Sequence, residues 1–187
     1  MEVIAEQGVR GATHRSIAAR AGMPTSTTSY FFSSLDELIA AALEVVGDRI
    51  VARVDAVTSS VTDAELRPQE AIGRFVDAVL AEPERDTVAQ FEIYLECARR
   101  PQLQGTAHQI MASIERGAEA SLRALGVSDA GERAPMVVAL LDGLALHRHA
   151  RPRGASDRRV LTEALYALHR GFVERDADGE GLHRERG

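Results

Sequence analysis

The strongest constraint in this sequence is a period. Ile39, Leu43, Val46, Ile50, Val54 and Val57 follow one another at steps of three and four. A strand sends alternate residues to opposite faces, so this spacing lines one side of a long helix and no side of a sheet. The same period returns in Ile72, Phe75, Val76, Val79 and Leu80, and in Val88, Phe91, Leu95 and Ala98. It returns again from Leu103 through Ile110, Met111, Ile114, Ala118 and Leu122 to Leu125, and in Val160, Leu161, Ala164, Leu165, Leu168 and Phe172. No periodic segment has a period of two. The expected fold class is all-α, with about nine helices.

Breakers divide this pattern into elements. Glu2 to Gln7 is a short apolar-faced piece that Gly8 stops. Thr13 is a good N-cap for a helix marked by Ile17, Ala18 and Ala21 and ended by Gly22. Pro24 suits the opening of a short helix reaching Phe32. Ser34 can cap the long fourth helix, with Asp36 and Glu37 at its dipole-favoured start. Thr58 to Arg67 is polar and reads as a loop; Pro68, Pro83, Pro101 and Gly126 bound the next helices. The segment from Pro135 to Ala150 is apolar around nearly its whole circumference, so it has to be covered on most sides. Ser156 can cap a last helix to Glu174, and the charged tail 176–187 is expected to be disordered.

The first helices are short and the later ones longer and more apolar. That asymmetry predicts a small module over 1–33 joined through the fourth helix to a larger domain over 34–175. Charged residues make up 27% of the 187-residue chain, within the ordinary range for a soluble globular protein. The net charge of −6 argues against non-specific nucleic-acid binding but leaves room for a local cationic face. A single cysteine, Cys97, excludes an intrachain disulfide and fits a cytoplasmic setting. No apolar run is long enough to span a membrane.

The module carries the function. Thr13 to Ala21, a break at Gly22-Met23, and Pro24 to Phe32 have the outline of a helix-turn-helix. A helix entering the major groove must bring slim polar groups to base edges and phosphates, and Thr25, Ser26, Thr27 and Ser29 are such groups. His14 and Arg15, opening the preceding helix, are placed to reach the sugar–phosphate strand. Phe32 falls opposite Thr27 and can anchor the helix inward.

The stretch "IAEQGVRGATHRSIAARAGMPTSTTSYFFSSLDELIAAAL", Ile4 to Leu43, resembles the DNA-binding module of the TetR family of one-component transcriptional regulators. The matching features are a Gly-ended first helix, a Thr-initiated second helix with "IA…AG", a short recognition helix, and an aromatic-x-Phe run into a Ser-capped fourth helix. The resemblance implies a ligand-responsive regulator, a repressor, that binds a palindromic operator as a homodimer and is released by a small apolar effector. The DNA-facing positions it implies are Thr13, His14, Arg15, Thr25, Ser26, Thr27, Ser29, Tyr30 and Phe31. The chain departs from the family pattern at Ser29, where a Tyr is common, at Leu35, where a Lys contacts phosphate, and at Met1, which falls inside the first helix. The start at Met1 and Leu35 favour the alternative, a helical small-molecule-binding or interaction protein with a weakened or vestigial reading head.

In the larger domain, helices 135–150 and 156–174 are the expected dimer interface. The expected ligand pocket draws on Phe75, Val79, Phe91, Tyr94, Leu95, Met111, Ile114, Leu141 and His147, with Tyr94 and His147 as polar anchors. His147 and His149 point to opposite sides of a helix, so no metal centre is expected, and no cofactor. Glu92 and Glu96 lie one turn apart and read as a solvated face, and Arg99-Arg100 as satisfying a helix C-terminus. No HExxH, GxSxG, GxxxxGK[ST] or GxGxxG occurs, and an enzyme is not expected.

Overall fold

The computed structural model describes residues 2–62, 66–81 and 83–184. Among the described residues there are nine α-helices and no strand: α1 (Glu2–Gly11), α2 (His14–Arg20), α3 (Thr25–Phe31), α4 (Leu35–Thr62), α5 (Pro68–Leu80), α6 (Glu84–Arg99), α7 (Gln104–Ala124), α8 (Ala130–Ala150) and α9 (Ala155–Arg184), with a 3-10 turn at Pro101–Leu103. They form two compact units, residues 1–51 with 82–112, and residues 52–81 with 113–187.

In the first unit α1 packs on α6 and α2 on α3. Gly8 breaks α1 as its sequence position predicts, with φ 68, and the Glu92 carboxylate lies over it, 3.1 Å from where a Cβ would stand. A side chain there is unfavourable in both conformation and space. Glu96 is buried, not part of a solvated face: Arg100 and Arg99 pair with it, and Arg100 also holds Asp36 at the start of α4. Two guanidiniums replace the water that the carboxylate loses.

In the second unit Ile72 and Val76 of α5, Leu122 of α7, Val127, Ala130, Ala134 and Val137 at the start of α8, and Leu161, Leu165 and Phe172 of α9 form the core. Several boundaries differ from the sequence reading, among them the start of α9 at Ala155, which puts Ser156 inside the helix and not at its cap. The polar stretch after Val57 stays helical to Thr62, with the Thr58 hydroxyl donating to the Gly117 carbonyl of α7 at 3.3 Å. α8 begins at Ala130, so Pro135 sits inside the helix and does not open it. α9 runs past Glu174 to Arg184, and the last residues of the expected tail, 185–187, lie outside the described residues; within it Asp176 accepts from the Arg133 guanidinium, which also lies over the Phe172 ring, and from the Ser128 N–H at 3.0 Å.

Arg133, with Ser128, holds the Asp176 carboxyl down at about 2, below its ordinary 3.8. A depressed carboxylate contributes stability above its unfolded value and loses it as pH falls through its folded one. Thermal midpoints are therefore expected to drop between about pH 4 and pH 2. Arg133→Ala is expected to shrink that dependence, as scanning calorimetry at stepped pH will show.

Candidate functional site

The reading head is built by local capping. Thr13 accepts from the Ser16 N–H at 3.0 Å, and Ser16 accepts from the Thr13 N–H at 2.8 Å, a reciprocal box that starts α2. After α2 the chain turns through Gly22 at φ 66, with the Met23 N–H donating to Ala18 O at 2.9 Å. Pro24 then caps α3 in extended conformation.

Within the run from Thr25 to Ser29, one hydroxyl points inward. Thr28 is 6% exposed, and its Oγ1 donates to Thr25 O at 2.9 Å and to His14 O at 3.3 Å. The second of these bonds ties α3 to the start of α2. Thr25, Ser26 and Ser29 face solvent and Thr27 is half-buried. Tyr30 and Phe31 are 84% and 67% exposed, in edge-to-face contact at 5.2 Å. Two large rings side by side in water make an exposed apolar patch, the kind of feature that marks a contact surface. Phe32 is half-buried and turns to the recess that Ile4, Ile17 and Leu38 help line, the inward anchor expected of it.

Arg15 is exposed, as is Thr13; His14 is half-buried, and its Nδ1 is buried without a hydrogen-bond partner among the described residues. Arg20 is engaged by Glu2 and Glu6. A signal that the motif reading passed over supports the same face. From Gln7 to Leu35 the chain holds Arg10, Arg15 and Arg20 and no carboxylate, although the whole protein is acidic.

The second unit contains a cavity of about 60 Å³ between α5, α7, α8 and α9. Its walls are Ala71, Ile72, Phe75, Ala118, Leu122, Leu125, Val137, Leu165, Leu168 and Phe172, with Ser121 and His169 as the polar members. Of the residues expected to line a pocket, Phe75 alone is here. Val79 and Ile114 are half-buried elsewhere in this unit, Leu141 packs against the core, and His147 is exposed. Phe91, Tyr94, Leu95 and Met111 belong to the first unit, where Tyr94 accepts from Gln90 at 2.9 Å and Leu95 and Met111 are exposed. Neither Tyr94 nor His147, the anchors expected from the sequence, lines this cavity, whose polar members are His169 and Ser121. His169 follows Leu165 by four and precedes Phe172 by three, so helical spacing places it on the same inward face. A larger recess of about 580 Å³ lies in the first unit, but Glu2, Arg20, Arg49, Arg85 and Asp86 are on its walls, which suits an apolar ligand poorly.

A helix-turn-helix head carried on a helical bundle with an apolar cavity defines a class of DNA-binding regulator. Comparison with known proteins narrows it. Residues 66–171 match the tetracyclin repressor-like C-terminal domain, and residues 1–42 match the bacterial regulatory proteins of the tetR family. The chain belongs to the TetR family of transcriptional regulators, and it is not an enzyme. It is 26% identical to the HTH-type transcriptional regulator PksA of Bacillus subtilis (strain 168), over 97% of this chain and 90% of PksA. Among solved structures it resembles a transcriptional regulator from Rhodococcus sp. Rha1, at TM-score 0.74 and 27% identity over 92% of this chain and 90% of that one. It also resembles a TetR family member from Streptomyces coelicolor A3, at TM-score 0.68 and 30% identity over 89% and 91% of the two chains. The multidrug binding protein EbrR, solved with ethidium, aligns at TM-score 0.68 and 27% identity over 89% of this chain and 91% of EbrR. Among the described residues no helix is long and apolar enough to cross a membrane.

Proposed function

We propose that this protein is a repressor that binds a palindromic operator as a homodimer and is released when a compact ligand enters the cavity between α5, α7, α8 and α9. The observation that carries this reading is the division of labour on α3. One hydroxyl, Thr28, is spent on holding the head together, while its neighbours and two large rings face outward. Each head would place α3 in a half-site, with half-sites roughly 34 Å apart or a multiple of that. The binding of ethidium by EbrR supports a small-molecule effector for this architecture. A ligand shifts the balance only by its differential affinity for the DNA-bound and free states.

The test is retardation of the DNA upstream of the protein's own gene. Arg15→Ala is expected to weaken binding and flatten its salt dependence, since each lost phosphate contact removes about 0.9 from the salt slope. Thr27→Ala is expected to alter sequence preference. Failure of the full chain to bind, with neither substitution mattering, would identify the head as vestigial.

Support for the dimer comes from α8. Met136, Ala139, Gly143, Leu146 and Ala150 recur at steps of three and four, and all are exposed, Met136 by 57% and Leu146 by 51%. Small residues at the centre of such a stripe let a second helix approach closely. Leu146→Arg would put a charge into that seam. Sedimentation at micromolar concentration is expected to give a dimer for the native chain and a monomer for the variant.

A further inference from the structure

His169 is 8% exposed, and one ring nitrogen is used while the other is not. Nε2 lies 3.1 Å from the carbonyl of Leu125, just past the end of α7. A carbonyl only accepts, so Nε2 carries the hydrogen, and in the neutral ring Nδ1 is left as an acceptor. Among the described residues Nδ1 has no hydrogen-bond partner, and the ring lines the apolar cavity. The other polar wall residue, Ser121, already donates to Gly117 O at 3.0 Å. A buried acceptor among apolar walls is costly until a donor meets it.

We propose that the cavity takes a neutral, compact, largely apolar molecule bearing one hydroxyl or N–H, which donates to His169 Nδ1. The inference rests on reading this cavity as the effector site and names the chemistry of its ligand. No Asp, Glu, Lys or Arg lines the cavity, so a cation or an anion would be buried without a counter-charge. The cavity as it stands is small, so the ligand is compact and the walls must yield to it. An apolar cavity of about 150 Å³ holds benzene, and this one is about 60 Å³. A single ring therefore enters by displacing half-buried side chains at the wall, such as Phe75 and Leu168.

The test compares two probes of one shape, p-cresol and toluene, on the full-length protein and on His169→Gln. Glutamine keeps an amide donor for the Leu125 carbonyl, and with that donor engaged its own acceptor, Oε1, stands off the position that Nδ1 occupies. Dissociation constants from protein-observed NMR are expected to show the preference for p-cresol relative to toluene falling on the order of tenfold in the variant, with toluene affinity unchanged. In the native protein, with histidine ring nitrogens labelled, p-cresol is expected to move the Nδ1 resonance of His169 and toluene to leave it in place. An unchanged preference, an unmoved Nδ1 resonance, no binding of either probe, or displacement of p-cresol by ethidium would each overturn the proposal. None of these readouts uses DNA. A chain that retards its operator yet shows no change in preference defeats this inference alone. A chain that shows the change yet binds no operator supports it and defeats the repressor reading.

Discussion

Tyr30→Ala is expected to weaken operator binding by roughly 10²- to 10⁴-fold while leaving the thermal midpoint where it was. The two halves of this expectation have separate causes. The ring is 84% exposed and touches Phe31 edge-on, so the folded chain loses little when it is removed. On DNA the same ring would pack against the sugar–phosphate wall of the groove and offer its hydroxyl to a phosphate. A hydrogen bond to a charged group is worth about 1.5–3 kcal/mol, and the homodimer proposed above would lose it twice. Tyr30→Phe separates the contributions: if it binds like the native chain, packing dominates, and if it binds like the alanine variant, the hydroxyl does. Fluorescence anisotropy on a labelled operator, with calorimetry on the same samples, reads both halves. Native-like affinity for the alanine variant would remove Tyr30 from the interface.

Gly117→Ala is expected to lower the thermal midpoint on the order of 5 °C, consistent with roughly 1–3 kcal/mol of overpacking. α4 and α7 meet at this glycine so closely that an added Cβ would stand 1.8 Å from a Val54 methyl. Valine is branched at Cβ and has no free rotamer to retreat into within a helix. The Thr58 hydroxyl bond to the Gly117 carbonyl pins the same turn, so the helices part only by breaking it. Val54→Ala removes the offending methyl, and the double variant is expected to recover most of the loss, a non-additivity that marks direct contact. Equal losses with no recovery would place the damage elsewhere.

The fold was open to reading because its apolar residues keep one period along the chain, and breakers mark most helix ends. At the ends of α4 and α9 a distant residue had intervened. Thr58 finds α7 and Asp176 finds Arg133, and neither partner is near in sequence. The reading head was legible as a local arrangement of a capped helix, a glycine turn and a short second helix. The cavity was not. Aromatic and aliphatic residues at helical spacing look alike whether they line a hole or fill a core. His169, a polar member of the cavity wall, was not singled out, because only the apolar residues of its helix were used to mark the inward face. Glu96 was read as solvated although Arg99 and Arg100, at i+3 and i+4, stand one turn away and cover it.

The reading head does not end where the recognition helix ends. α1, with ten residues, and α2 and α3, with seven each, are too short to persist alone in water. α1 buries Val3, Ile4 and Val9, and it packs on α6, which buries Ala89, Ile93 and Cys97. Anyone grafting this specificity onto another regulator would do well to carry residues 82–112 along with 1–51. A hybrid spliced within α4 alone would export the sequence that reads DNA and leave behind the scaffold on which it stands.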